Sequence, residues 1–397
     1  MWQLLCTVVS MSEIGIGSRI ASLREARGIK GEQLGLVLGL SKSQVSKIEN
    51  GARKLDVSEV ALVADALGVT LAEVLGIERR GSLALAARVM APPSAGADLT
   101  SRHRIRQLLE VDAALTESMG LRGVDTSQAG KAALARIGSE KLASMRSTNQ
   151  AGTRLASIVR EELGLGRAPV SDVAELAEQH FGVDVLNWPT GPSVSGLCVH
   201  GDGVAMMLVS TSFPIGHQRF TAAHELAHHL LSDPRSVVVE EDIYDQSNPM
   251  ELRANAFAAT FLMPEAGVKE VVKDRQIDEV ALAQLMRHFG VSYKALINRL
   301  RNISLISRSV AETWSARTPT SVLRDANDSN PEGLTLPTGE RRIPPRLWRA
   351  AEKGYKEGRV GLGTLATLSD EDSEILFNRL AENSIYPPSP IDDLSDV

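Results

Sequence analysis

The stretch Phe220-Thr221-Ala222-Ala223-His224-Glu225-Leu226-Ala227-His228-His229-Leu230-Leu231 decides how the larger part of this chain is read. It holds good helix formers and neither Pro nor Gly, so a helix is expected. Residues four apart share one helix face, so His224 and His228 can grip a single ion. Glu225 sits beside them, placed to take a proton from water at that ion. Leu226, Leu230 and Leu231 are free to face a core. Three fixed positions in five also arise by chance in unrelated helices, so the neighbouring sequence has to carry part of the weight.

A catalytic zinc takes three protein ligands and leaves a fourth position open. Only two cysteines occur, Cys6 and Cys198, so a metal site has to be built from His and carboxylates. The segment Met250-Glu251-Leu252-Arg253-Ala254-Asn255-Ala256-Phe257-Ala258-Ala259-Thr260-Phe261-Leu262-Met263-Pro264 reads as a second helix that stops at Pro264. Its Ala-rich face allows close packing against the first. Glu251 stands at its start and can point at the ion. Asn255, one turn on, is suited to hold a ligand His by its second nitrogen. By spacing alone, Glu251 reads equally well as a solvated helix-start carboxylate favoured by the helix dipole.

Around these helices the pattern is α+β. Helices are expected near 152–163, 171–181, 217–231, 250–262, 278–289 and 292–302. Short β-like runs lie at 183–188, 194–200 and 204–210. Residues 151–310 are taken as one domain. Its oxyanion-stabilising donor is open among His217, His229 and Tyr244, and for each an ordinary satisfied side chain is the commoner case.

Residues 18–77 read instead as closely spaced short helices. Apolar faces fall on Ile20, Leu23 and Ala26; on Leu34, Val37 and Leu38; on Val45 and Ile48; and on Val60, Leu62, Val63, Ala66 and Leu67. Gly28, Gly39, Gly51 and Gly68 stand where helices should end. Ser41 and Gln44 form a capping box for the helix that follows. Lys42, Ser43 and Lys47 stay on its outer face, as in a helix that reads bases. Arg53 and Lys54 come next, placed for phosphates. A plain surface helix of a bundle fits the same pattern.

The whole chain has 397 residues, 43% apolar residues and a net charge of −6, which excludes a globally basic nucleic-acid binder. Residues 1–17 are expected as a disordered extension. Residues 78–150 are expected as linker and helical connector, with the linker-like run APPSAGAD at 91–98. Residues 311–340 are expected as a second linker, 341–385 as one or two helices, and 386–397 as an acidic tail. No apolar run approaches membrane-spanning length, and scarce cysteine fits a reducing compartment, so a cytoplasmic protein without a membrane partner is expected.

The two motifs QRFTAAHELAHHLL and ELRANAFAATFLMP together resemble the ImmA/IrrE-type metallopeptidase family, over roughly residues 150–310. SGLCVH before the active helix and VSYKALINRL after it belong to the same resemblance. It implies a minimal thermolysin-like (zincin-like) fold and a Zn2+ ion held by His224, His228 and Glu251, with Glu225 as base. Ala222 and Ala227 depart from the common Leu and Gly without removing a ligand. The run from Ser18 to Gly76, with LSKSQVSKIENG and ADALGV, resembles the XRE/Cro-type helix-turn-helix family. That likeness implies contacts to a double-stranded operator from Lys42, Ser43 and Lys47. Gly31 stands where a polar residue is common, which puts one phosphate contact in doubt. The module is near neutral, so a homodimer on the operator is in keeping with it. The expected whole is a multi-domain chain: an all-α helix-turn-helix domain, an α+β zinc peptidase domain and a small helical C-terminal segment. The peptidases of that family cut repressor-type transcription factors, often after stress. The alternative is a transcriptional regulator whose peptidase-like domain serves as a sensing or protein-binding scaffold.

Overall fold

The computed structural model describes residues 16–26, 29–53, 55, 57–67, 74, 99–121, 123, 126–139, 148–191, 194–201, 204–231, 237–240, 249–273 and 275–388. Residues 1–15 of the expected N-terminal extension, the run 91–98, Gly28, Gly68, Lys54, Tyr244 and the tail beyond Pro388 lie outside them; Ile16 and Gly17, expected as the end of that extension, instead open the first helix. The chain divides into two compact units, Met1–Gly96 and Ala97–Val397.

The first unit is built from α1 (Ile16–Ala26), α2 (Gly31–Leu38), α3 (Lys42–Glu49) and α4 (Val57–Leu67). Ile20, Leu34, Val45, Ile48, Val60, Val63 and Leu67 meet in one core, joined by Val74. Gly39 closes α2 in the left-handed conformation, at φ 65°, where a side chain would be strained. The capping box is present: Gln44 N donates to Ser41 Oγ at 3.3 Å, and Ser41 N donates to Gln44 Oε1 at 2.8 Å. Leu62, expected on the apolar face of α4, is 48% exposed. The neighbouring Val60, Val63 and Leu67 already fill that face, and Leu62 falls about 100° away from Val63.

The second unit begins with α5 (Leu99–Met119), α6 (Gln128–Ser139), α7 (Thr148–Glu162) and α8 (Val173–Phe181). Then come β1 (Asp184–Trp188), β2 (Gly196–Gly201), β3 (Val204–Ser210), α9 (Ile215–Leu230), β4 (Val237–Glu240) and α10 (Pro249–Leu262). The sheet has the order β1-β3-β2-β4. β1 runs parallel to β3, and β2 runs antiparallel to both β3 and β4. α9 packs on β2 and β3, and α10 packs on α9 and lies along α7. Phe257, Phe261, Leu226, Leu155 and Met207, all fully buried, join these layers. α11 (Glu265–Val272), α12 (Glu279–Phe289) and α13 (Tyr293–Asn302) follow. The helices expected from periodicity are all present; β4 and α11 are additions.

Three expectations change. The stretch 99–119, expected as part of a helical connector, is helical but belongs to the packed second unit, with Ile105, Leu108, Leu109 and Leu115 fully buried. Residues 311–340 are not a linker: they hold the end of α14 (Arg308–Ser315), then α15 (Pro319–Asp325) and α16 (Glu332–Thr335). The Thr and Pro that suggest a linker there serve as helix-start chemistry. Thr318 accepts from Ser321 N at 3.2 Å, and Pro319 opens α15. Residues 341–385 hold three helices rather than one or two: α17 (Pro345–Lys356), α18 (Leu362–Ser369) and α19 (Ser373–Glu382). α5 packs on α17 and α18. Arg346 ion-pairs with Asp112 and Asp184, tying α5 to the sheet, and the Arg104 guanidinium lies 3.9 Å over the Trp188 ring. The C-terminal helices therefore brace β1.

Candidate metal centre

α9 is buried along nearly its whole length between the sheet and α10. Such a helix can carry polar groups only if they are matched, since an unmatched buried polar group costs several kcal/mol (roughly 2–7). His224 and Glu225 are nevertheless 0% exposed, His228 2% and Glu251 7%. The helical repeat stacks His224 and His228 edge to face, their ring centroids 4.9 Å apart. Glu251, on the first turn of α10, reaches both. His224 Nε2 to Glu251 Oε2 is 3.1 Å, His228 Nε2 to Glu251 Oε2 is 3.4 Å, and the two Nε2 atoms are 3.1 Å apart.

The second nitrogen of His224 shows what this triangle can hold. His224 Nδ1 faces Asn255 Oδ1 at 3.0 Å. A carbonyl oxygen only accepts, so with the amide in this orientation Nδ1 carries the proton. In the neutral ring that leaves Nε2 as a lone pair aimed at a carboxylate oxygen. Two lone pairs at that distance repel unless a cation or a proton lies between them. Two imidazole nitrogens and a carboxylate oxygen are the donor set of a catalytic zinc. Donors about 2.0–2.2 Å from an ion at tetrahedral angles stand about 3.3–3.6 Å apart, close to the edges measured here. The residues present therefore fit a zinc ion. Among the described residues, this is the one group of three His, Cys, Asp or Glu whose donor atoms converge in this way.

Both carboxylate oxygens of Glu225 are buried. Close beside it lies a residue that the sequence did not single out. A methyl group on Gly196 of β2 would stand 2.6 Å from Glu225 Oε1 and 2.5 Å from Thr221 Cγ2. Thr221 precedes Glu225 by one helical turn and is fully buried. Both neighbours are fully buried and would have to shift, so Gly196→Ala should destabilise the fold by about 1–3 kcal/mol, the usual cost of overpacking. Ala is otherwise no worse than Gly in a strand. Urea denaturation measures this, and an unchanged midpoint would mean that β2 does not press on Glu225.

The remaining expected residues fall out differently. His217 is partly buried and stacks on Phe213 with ring centroids 4.5 Å apart. Burial, helped by Lys294, pulls its pKa down to about 4, so it is neutral at pH 7. Neither His217 nor His229 belongs to the converging donor group. α9 is anchored instead by Arg219, which donates to Gly290 O at 3.0 Å and Ser171 O at 2.6 Å.

In the first unit, Lys42, Ser43 and Lys47 are exposed along α3. Lys42 meets Glu32 at 2.8 Å in a solvated pair, which adds little stability and is easily exchanged for another anion. Arg53, expected at a phosphate, has a partner within the domain. It is partly buried and pairs with Glu59 at 2.5 Å, because the turn after α3 folds it back on α4.

Residues 178–301 match the family profile Peptidase_M78, described as an IrrE N-terminal-like domain. Residues 20–74 match the profile HTH_3, a helix-turn-helix. A search of curated proteins finds no match. Among solved structures, the crystal structure of ComR from Streptococcus suis aligns at 13% identity and a TM-score of 0.15, covering 93% of this chain and 90% of that one.

Proposed function

From a chain that joins a helix-turn-helix domain to an IrrE N-terminal-like domain, we propose a zinc-dependent endopeptidase coupled to operator binding, whose substrate is a repressor-type transcription factor. One observation carries the peptidase reading: the three donor atoms of His224, His228 and Glu251 lie within 3.1–3.4 Å of one another, with the carboxylate of Glu225 buried next in sequence. Zinc supplies Lewis acidity there and brings the acidity of water near neutral pH. His224, His228 and Glu251 hold the ion, and Asn255 fixes the His224 ring by its Nδ1 proton. Glu225 takes the proton of the attacking water and returns it to the leaving amine. Metal analysis of the purified protein, combined with co-expression beside neighbouring repressor genes, tests this reading. A chain that holds zinc and cuts none of them favours the scaffold role instead.

The exposed side chains of Lys42, Ser43 and Lys47 on α3 support the DNA half of the proposal. Lys42→Ala and Lys47→Ala should each weaken operator binding by about 1–3 kcal/mol where the side chain meets a base edge. Fluorescence anisotropy on a selected operator measures this. Wild-type affinity in the double variant would remove α3 as the reading helix. Among the described residues, no helix is long and apolar enough to cross a membrane.

A further inference from the structure

A groove of about 600 Å³ runs between α7, α10 and α13. Its polar lining includes Asn149, Thr153, Asn298, Arg299 and Arg301, and no carboxylate contributes to it among the described residues. Asn255, whose Oδ1 faces His224 Nδ1, also lines it. Arg299 is 7% exposed. Its Nε donates to Met263 O at 2.9 Å, and no further hydrogen bond or ion pair holds its two terminal nitrogens among the described residues. Burial pulls this guanidinium down to about 10, and the charge of Glu265 offsets only part of that. Glu265 itself pairs with Lys269 at 2.5 Å. A buried cation in this state is expensive unless something pairs with it. Arg301, two residues on, is exposed at the rim and adds a second positive charge. Phe220, Ala256, Ala259 and Ala295 give the groove an apolar wall. The volume lies in the range of small-ligand sites.

We propose that this groove is a binding site for a small metabolite carrying an oxyanion, a phosphate or a carboxylate, which pairs with the terminal nitrogens of Arg299 and is drawn in by Arg301. The planar guanidinium suits either oxyanion through two parallel hydrogen bonds. The amides of Asn149 and Asn298 and the hydroxyl of Thr153 supply donors for the remainder of the molecule, and the apolar wall takes its uncharged part. The site is distinct from the converging metal donors and shares only Asn255 with their support.

The test is thermal melting of the full chain, titrated with inorganic phosphate, with succinate and with sodium chloride at matched ionic strength. The proposal expects a saturable rise in melting temperature with phosphate or with succinate, beyond that in chloride; which of them acts identifies the oxyanion. Arg299→Gln should weaken the apparent affinity on the order of tenfold or more. Arg301→Gln, at an exposed position that leaves folding intact, should weaken it as well and make it less sensitive to salt. No saturable rise with either anion, or a rise that persists unchanged in Arg301→Gln and Arg299→Gln, overturns the proposal. Neither outcome depends on metal content or on proteolysis, so this site and the peptidase stand or fall separately.

Discussion

Alanine at His224, at His228 or at Glu251 should strip most of the zinc from the protein. Each substitution removes one of three donors that meet within 3.1–3.4 Å, and the two that remain leave a site open to water. Loss of a residue that merely orients a ligand already costs about 10–100-fold in metal affinity, which is the expected size for Asn255→Ala. Loss of a direct ligand should cost more than that. Elemental analysis of the purified variants, followed by competition with a chromophoric chelator, ranks them: wild type, then Asn255→Ala, then the three ligand variants. The test is sharpest for Glu251, since a carboxylate on the first turn of a helix is well placed there on dipole grounds alone. Full retention of zinc by Glu251→Ala would take it out of the ligand set.

Glu225→Gln separates chemistry from metal binding. The amide has the shape of the carboxylate and fits the same space beside Gly196 and Thr221, so the fold and the zinc content should be kept. An amide cannot take a proton from water at neutral pH. General acid-base catalysis contributes typically about 10²–10⁴-fold, and cleavage should fall by at least that much. The comparison is of turnover in zinc-loaded wild type and variant at equal metal occupancy. A variant that cuts at the wild-type rate would mean that another group acts as base.

The candidate site was legible because its geometry is local. His224, Glu225 and His228 lie within two turns of one helix, and Glu251 and Asn255 within two turns of another. Helical periodicity therefore places each set on a face without any knowledge of the fold. The capping box of Ser41 and Gln44 is local in the same sense. What escaped the sequence depends on partners far along the chain. Leu99–Met119 looks polar because it carries Arg102, Arg104, Arg106, Glu110 and Asp112. Yet Asp112 is matched by Arg346, and Arg104 by the Thr367 carbonyl and the Trp188 ring. A charged residue paired across more than two hundred positions reads as a surface residue until its partner is seen. The region from Ser307 onward was misread for a different reason. Thr, Ser, Pro and Asp serve both loops and helix starts, and Ser307, Thr318 and Asp372 all act as N-caps there. The role of Gly196 was likewise invisible, because what a glycine makes room for lies on another element. Arg53 reads in the sequence as an exposed turn cation, and its pairing with Glu59 six residues on is equally hidden there.

On the proposed function, the buried cluster on α9 and α10 is a working zinc peptidase aimed at a repressor. The most direct test is incubation of the zinc-loaded full chain with each repressor encoded beside it, with intact mass as the readout. One defined cut in one of them is expected, abolished by a zinc chelator, restored by added zinc, and absent with Glu225→Gln. A protein that carries a full equivalent of zinc on His224, His228 and Glu251 and leaves every such repressor whole would contradict the proposed function.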